Sequence, residues 1–218
     1  MPADPWINWD WLRAHIPLVL GDLQQHVILT AIAVLVGLAI SLPLGIAAHR
    51  VRWLRNPVLT TFGILYTIPS LALFAFLVPY TGLTYLSAEI GLVSYTLLIL
   101  ARNVVVGLES VPPDILDAAD GMGYRPLARL LRVELPLALP AIMAGVRVAT
   151  VTTIGLVTIT ALIGVGGLGQ LINQGLIESF HTPLVVATVL SIALALVADL
   201  TLAGAQRLAI PWSRAAAR

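Results

Sequence analysis

The chain contains 218 residues, of which 59% are hydrophobic and only 11% are charged, and its formal net charge at pH 7 is +1. Soluble domains are typically about 45–50% apolar, whereas the mean hydropathy of this chain is +0.96. These values exclude an ordinary soluble domain and predict an integral membrane protein.

The first 25 residues form a mixed segment in which tryptophans such as Trp6 and Trp9 alternate with charges such as Asp10 and Arg13. The segment lacks the basic start and short apolar core of a cleavable signal peptide. We therefore expect residues 1–25 to lie at the outer membrane interface as an amphipathic segment.

Five apolar stretches follow, each close to the ~20 residues that an α-helix needs to cross the hydrocarbon core. The sequence therefore predicts an all-α, polytopic membrane protein with one transmembrane domain over residues 26–206 and a tail over residues 207–218. We expect Pro69 to kink the second span. The five spans are predicted at about 27–48, 58–78, 90–108, 140–163 and 184–205.

Arginines are distributed unevenly over the connections between these spans. Connections 79–89 and 164–183 contain none, whereas clusters follow the first, third and fifth spans. Because short cytoplasmic connections carry the basic excess, we expect the N-terminus outside and the C-terminus in the cytoplasm. The clusters are Arg50, Arg52 and Arg55; Arg125, Arg129 and Arg132; and Arg207, Arg214 and Arg218.

The connection between the third and fourth spans, residues 110–136, is the most polar of all. Its arginines alternate with apolar residues at helical spacing, and Gly123 separates two short predicted helices. Ser110 is a candidate N-cap of the first helix, the two prolines after it suit a first turn, and Asp114 and Asp117 complement the positive helix end. This pattern predicts a docking element on the cytoplasmic side.

Within this connection, the spacing of Asp117-Ala118-Ala119, Gly123, Val133 and Leu135-Pro136 resembles a known motif. It is similar to the E-A-A-x3-G-x9-I-x-L-P motif of ABC importer membrane subunits, with Asp in place of Glu and Val in place of Ile. The resemblance implies a coupling helix that fits a cleft of the ATP-hydrolysing subunit. The residues it assigns to coupling are Asp117, Ala118, Ala119, Gly121, Gly123, Arg125, Leu135 and Pro136.

The resemblance extends over roughly residues 23–205. The stretches ARNVVVGLESVPPDILDAADGMG and ALIGVGGLGQLINQGL look like permeases of osmoprotectant importers, which carry glycine betaine, carnitine, choline or proline. This implies the type I ABC importer permease fold in a bacterial plasma membrane, surrounded by lipid. The implied partners are an ATP-binding cassette ATPase dimer, a second identical or paralogous permease subunit and an extracytoplasmic substrate-binding protein, but no nucleic acid.

ATP and Mg²⁺ are expected in the partner ATPase rather than in this chain. All twelve basic residues are arginine, and a P-loop requires a lysine. The chain has no cysteine, its four histidines are scattered, and no nucleophile with a matched base is recognisable. We therefore expect neither an enzyme nor a metal or cofactor site.

Other functions stay open at this point. Methionine importers share the charged loop, although their flanking sequences match less well. An ATP-independent secondary transporter would hold ionisable groups near the membrane midplane and often shows repeated halves, neither of which is evident. A third alternative is an inert scaffold subunit.

The segment Gly164–Gly169 fits the pattern G-x-G-x-x-G. Dinucleotide binding would need a strand before this pattern, whereas here it follows a predicted membrane helix. We expect instead a tight turn between the fourth span and a short outer helix over residues 170–177, with a role in gating as the alternative.

Polar residues at membrane depth are candidates for the transport path or its gate, with ion pairing and helix packing as the alternative roles. Asp199, Glu109 and Glu134 are the possible partners of the membrane arginines, and the specific hypothesis pairs Asp199 with Arg147 or Arg102 in one transport state. Aromatic faces attract quaternary ammonium groups. The candidates are Tyr66, Tyr95, Arg102, Asn103, Arg147, Thr150, Thr153 and Asp199.

Overall fold

The computed structural model describes residues 6–210, and the regular structure in this range is entirely helical. A π-helical turn (Leu130–Glu134) and a 3-10 turn (Ala161–Ile163) flank one of the long helices. The predicted all-α class is confirmed. The α-helices are α1 (Trp9–Ala14), α2 (Ile16–Arg50), α3 (Arg52–Thr67), α4 (Ser70–Thr81), α5 (Tyr85–Glu109), α6 (Pro113–Gly121), α7 (Pro126–Arg129), α8 (Leu135–Thr160), α9 (Leu168–Ile177) and α10 (His181–Ala209).

Four helical stretches in the described chain are long and apolar enough to cross a membrane. They are α2, α5, the continuous stretch Pro126–Ile163 that contains α8, and α10. Helices α3 and α4 make a fifth crossing only when they are taken together as a broken pair. The predicted first, third, fourth and fifth spans thus coincide with single helices, and the second does not.

The predicted second span, residues 58–78, is wrong as a single kinked helix. Helix α3 ends before Ile68 and α4 begins after Pro69, with the two axes bent by 94°. Proline lacks an N–H and disfavours helical backbone at the preceding residue, and Ile68 is extended (φ −65°, ψ 127°). The Tyr95 hydroxyl of α5 donates to the freed Ile68 carbonyl at 2.5 Å, so the break is satisfied from a neighbouring helix.

Helix α5 occupies the centre of the bundle, between α2 and α8. In its most apolar stretch 61% of the residues are buried, compared with 6% in α10. A Cβ added at Gly45 of α2 would lie 2.7 Å from Val104 of α5, and one added at Gly107 of α5 would lie 2.8 Å from the Ala138 carbonyl of α8. Small residues of this kind let membrane helices approach closely.

The bundle has two distinct ends. The α6–α7 end carries these two short helices together with the C-termini of α2, α5 and α10. The α9 end carries α1, α9 and the starts of α2 and α10, where the Asn8 N–H donates to Thr182 Oγ1 at 2.7 Å. The described chain therefore begins at one end of the bundle and finishes at the other.

Helix α2 begins at Ile16, well before the predicted start of the first span. The predicted interfacial segment 1–25 is therefore partly a continuation of the first membrane helix. Polar residues such as Asp22 and Gln25 lower the hydropathy of these first turns, so the apolar pattern alone does not indicate that the helix begins here. The 35 residues of α2 measure about 52 Å at 1.5 Å per residue, so this helix extends beyond a hydrocarbon core of about 30 Å.

The turn Gly164–Gly169 packs directly on α2. Gly167 has a φ of 47°, and a Cβ added to it would lie 2.7 Å from the Asp22 carbonyl oxygen. Its N–H donates to Gln25 Oε1 at 2.8 Å. The predicted tight turn before a short helix is confirmed, with α9 beginning at Leu168.

Gly167→Ala is expected to lower the thermal unfolding midpoint of the detergent-solubilised protein by several degrees. The new Cβ would meet the α2 backbone, which cannot move aside as a flexible side chain can, and the backbone conformation itself favours glycine. Gly155→Ala is the matched control, because nothing lies within 4 Å of its Cβ and alanine is favoured in helices by about 1 kcal/mol. A Gly167→Ala midpoint at or above wild type would contradict the close packing.

Candidate functional site

The connection between α6 and α7 is a hinge built around one glycine. The Tyr124 N–H donates to the Ala119 carbonyl at 3.1 Å, and the Gly123 N–H donates to the Asp120 carbonyl at 2.9 Å. This Schellman arrangement requires left-handed backbone at one position, and Gly123 occupies it with φ 79°. The prediction that Gly123 separates two short helices is confirmed.

The predicted N-cap at Ser110 is wrong. Ser110 ends α5, and its hydroxyl donates back to the Gly107 carbonyl at 2.7 Å. Helix α6 starts at Pro113 without a side-chain cap. Proline presets a helical φ and has no N–H that needs a partner, so the helix begins without a hydroxyl. Asp114 lies in the first turn, as predicted.

Most residues assigned to coupling lie on the exposed surface of the α6–α7 hinge. Ala119 is the exception, because it is only 1% exposed and faces the rest of the chain. Exposed apolar side chains among charges are typical of a protein contact surface. The exposed assigned residues are Asp117, Ala118, Gly121, Gly123 and Arg125. The exposed large apolar residues are Ile115, Met122, Leu127 and Leu131.

Leu135 and Pro136, the last assigned residues, lie half-buried at the start of α8. The π turn Leu130–Glu134 precedes them directly. A proline inside a helix collides with the carbonyl four residues earlier, and a wider π turn accommodates it. The stretch Pro126–Ile163 stays helical throughout, and α7 therefore continues into α8 without a break in the helix.

A buried carboxylate lies where α7 continues into α8. Glu134 is 2% exposed, and its Oε1 accepts hydrogen bonds from Arg50 Nη2 at 2.8 Å and from Arg129 Nε at 2.9 Å. Arg129 also donates to Asp120 of α6. Glu134 thus contacts α2 and α7 directly, and Arg129 extends the connection to α6.

Glu109 and Glu134 are not partners of the membrane arginines, so that part of the sequence prediction is wrong. Glu109 binds Arg55 through contacts of 2.5 and 3.2 Å, and Glu134 is engaged as described above. Both carboxylates lie at the α6–α7 end, where several arginines are close in space. Sequence separation does not indicate which of these arginines is the neighbour across the helix interface.

Arg147 and Asp199 form the predicted pair, in a bidentate geometry. Arg147 Nε donates to Asp199 Oδ1 and Nη2 donates to Oδ2, both at 2.8 Å. Paired contacts of this kind are among the strongest between charged side chains. The pair joins α8 to α10 while its side chains stay 33% and 34% exposed. Its dependence on the transport state stays a prediction.

Arg102 lies apart from this pair. In the described range 6–210, no carboxylate lies within salt-bridge distance of it. It shares an open polar groove between α3 and α5 with Tyr66, whereas Arg147 and Asp199 line a separate groove between α8 and α10. The polar side chains of the α3–α5 groove are Asn56, Thr60, Tyr66, Thr67 and Arg102.

The other four path candidates are engaged within the protein in this conformation. Tyr95 is 6% exposed and Thr153 is 1% exposed. The Asn103 amide and the Thr150 hydroxyl each donate at 2.8 Å to the carbonyl one turn earlier in their own helices. Asn103, Thr150 and Thr153 support helix packing. The Tyr95 ring lies edge-on to the Tyr66 ring, with centroids 6.0 Å apart, so the structure brings these two candidates together.

The fold defines a polytopic helical membrane protein with two short, largely exposed helices, α6 and α7, at one end. No group of three potential metal ligands occurs among the residues that the structure describes. Residues 37–207 match the family described as "Binding-protein-dependent transport system inner membrane component". The chain belongs to this family, and it is the multi-pass inner-membrane permease subunit of an ABC importer.

Curated relatives cover most of the chain. The "Osmoprotectant import permease protein OsmW" of Salmonella typhimurium is 39% identical over 180 residues, which cover 80% of this chain and 84% of the relative. The "Choline transport system permease protein OpuBB" of Bacillus subtilis is 35% identical over 188 residues, with 86% of each chain covered. The "Glycine betaine/carnitine/choline transport system permease protein OpuCB" of Bacillus subtilis is 37% identical over 152 residues, with 70% of each covered.

Solved transporters share the fold. The inward-facing MetNI methionine ABC transporter, in its native CY5 crystal form, matches with a TM-score of 0.80 at 21% identity. The matched region covers 90% of this chain and 98% of the transporter chain. An amino acid ABC transporter crystallised with histidines has a TM-score of 0.71 at 18% identity and covers 92% and 98%. These likenesses confirm the type I ABC importer permease fold.

Gly123→Ala is expected to weaken the association of this subunit with its ATPase several-fold, whereas the control Gly204→Ala in α10 is not. Neither glycine has an atom within 4 Å of an added Cβ, but only Gly123 has a positive φ. Left-handed backbone is unfavourable for alanine by about 1–2 kcal/mol, so only the first change distorts the hinge. Co-purification of the ATPase with equal amounts of permease measures the effect, and equal behaviour of the two variants would contradict the hinge.

Proposed function

We propose that this permease imports a small osmoprotectant and is driven by an ATPase dimer that binds the α6–α7 hinge. The observation that carries this proposal is the continuity of the hinge with α8, through the helical stretch Pro126–Ile163. The exposed apolar residues of the hinge supply a contact surface, and a displacement of that surface reaches the membrane domain without a flexible link.

The distribution of arginines supports a cytoplasmic location for the α6–α7 end. Arginines cluster there at the end of α2, the start of α3 and in the hinge, whereas Arg13 is the sole arginine at the α9 end of the described residues. Cytoplasmic connections carry such an excess. On this basis the N-terminus is outside, the C-terminus is cytoplasmic, and the hinge lies where ATP is available.

The α3–α5 groove is proposed to form part of the transport path, closed by a second permease subunit, identical or paralogous. Tyr66 and Arg102 face this groove, and Tyr66 is 39% exposed. An aromatic face attracts a quaternary ammonium group, and a guanidinium binds a carboxylate. Together they suit a zwitterion such as glycine betaine, carnitine or proline.

The relatives support this solute class. Their names specify osmoprotectants, choline, glycine betaine and carnitine, at identities of 32–39%. Methionine is the alternative solute, but the likeness to the methionine transporter is 21% identical and concerns the fold alone. Glycine betaine, choline, carnitine or proline is therefore the proposed cargo.

In this proposal the energy enters from the partner subunits. ATP and Mg²⁺ bind the ATPase, and hydrolysis is assigned to that subunit. Closure of the ATPase dimer moves the hinge and tilts α5 and α8 on either side of it, which exposes the path alternately to the two sides. A substrate-binding protein delivers the solute at the α9 end.

Reconstitution in proteoliposomes with the ATPase and binding protein of the same system tests the proposal. Radiolabelled glycine betaine is expected to enter only with ATP, to be competed by carnitine or choline, and not to be competed by methionine. Uptake that persists after ATP depletion, with a membrane potential maintained, would support a secondary transporter instead. Uptake of methionine in place of glycine betaine would overturn the solute class but keep the ATP-driven mechanism.

Asp199→Asn and Arg147→Gln are each expected to reduce this uptake several-fold, because each leaves one charge unpaired between α8 and α10 at membrane depth. The double variant removes both charges and should retain more uptake than either single variant. Uptake is normalised to the amount of permease in the vesicles. Wild-type uptake and unfolding midpoints in both single variants would dismiss a role for the pair in transport.

A further inference from the structure

A carboxylate at an unspecified position of the coupling motif, between Val133 and Leu135, lies where three helices meet at the α6–α7 end. The buried Glu134 Oε1 accepts from Arg50, the last residue of α2, and from Arg129, the last residue of α7. Arg129 continues the contact to Asp120 of α6. One buried oxygen atom therefore connects α2 with both helices of the hinge.

The π turn Leu130–Glu134 makes this connection possible. In an α-helix of 3.6 residues per turn, side chains five positions apart point about 140° away from each other. Arg129 and Glu134 are five positions apart in the sequence, and yet Arg129 Nε lies 2.9 Å from Glu134 Oε1. A π turn makes this contact possible, because it bonds residues i and i+5 and places them on one face. Such turns are rare and occur frequently at functional sites.

We propose that Glu134 is the positioning residue that transmits displacement of the α6–α7 hinge to α2. This inference rests on the proposed docking of the ATPase at the hinge. Helix α8 receives the displacement directly, because its backbone is continuous with α7. Helix α2 receives it through the Arg50–Glu134 contact. Separation of that contact would cost the buried Glu134 one of its two arginine partners, so the two helices are expected to move together.

The chain offers a matched control in Arg55 and Glu109. This pair has the same chemistry, lies at the same end and joins α3 to α5. It contacts neither hinge helix, and its side chains are 45% and 39% exposed. A change there removes an Arg–Glu contact without touching the proposed connection.

The experiment uses the complete transporter in proteoliposomes and measures, in the same preparation, ATP hydrolysis and solute uptake stimulated by the loaded binding protein. Glu134→Gln and Arg50→Gln are expected to keep hydrolysis within about two-fold of wild type while the solute transported per ATP falls about ten-fold, a coupling change in the usual range. Glu109→Gln is expected to leave this ratio unchanged. A merely structural role would lower hydrolysis and uptake by the same factor.

Arg50→Gln decides the matter if Glu134→Gln does not assemble, because it leaves the Arg129–Glu134 contact in place. An unchanged transport ratio in Arg50→Gln, or a proportional loss of both activities, would overturn the inference. If Gly123→Ala disrupts ATPase binding while Arg50→Gln leaves the solute transported per ATP unchanged, docking of the ATPase at the hinge is supported and transmission through Glu134 is contradicted. If Gly123→Ala leaves ATPase binding intact, the docking itself fails.

Discussion

Polar groups inside the hydrocarbon must find partners within the protein, and this constraint accounts for the irregular features of the fold. The broken pair α3–α4 frees the Ile68 carbonyl, which Tyr95 binds. The π turn keeps the backbone helical just before Pro136, where a regular α-helix would be interrupted. Arg147 and Asp199, two of the charges at membrane depth, bind each other. Each irregular feature therefore occurs beside the group that satisfies it.

Hydropathy locates four of the five spans because a run of about 20 apolar residues is a local property of the chain. The second span fails because Pro69 signals a bend but not its size. The 94° angle between α3 and α4 is accompanied by the hydrogen bond from Tyr95 of α5 to the Ile68 carbonyl. This is a tertiary contact, which local sequence does not reveal. The early start of α2 is missed for a similar reason, since its polar first turns pack against the glycine turn at Gly167.

The hinge could be predicted from residue types, because Gly123 occupies a backbone conformation that other residues rarely adopt. The ion pairs were predictable only in part. Asp199 is isolated in a long apolar run, which leaves Arg147 or Arg102 as its possible partners, and the structure selects Arg147. Glu134 lies among many arginines, and its burial and its choice of Arg50 depend on the π turn. Local pattern rules do not anticipate such a turn.

These contacts hold some helices of the membrane domain closely against α8 and leave α10 less enclosed. The stretch Pro126–Ile163 has 38 residues and measures about 57 Å at 1.5 Å per residue, so it reaches from the hinge to the α9 end. Helix α2 is tied to this stretch by Arg50–Glu134 near one end and by a hydrogen bond of 2.9 Å between His26 Nε2 and the Ile154 carbonyl near the other. By contrast, only 6% of the residues in the apolar stretch of α10 are buried, and α10 contacts α8 through the Arg147–Asp199 ion pair. Displacement of the hinge should therefore rotate α2 and α8 together as one unit, and the largest relative motion is expected between this unit and α10.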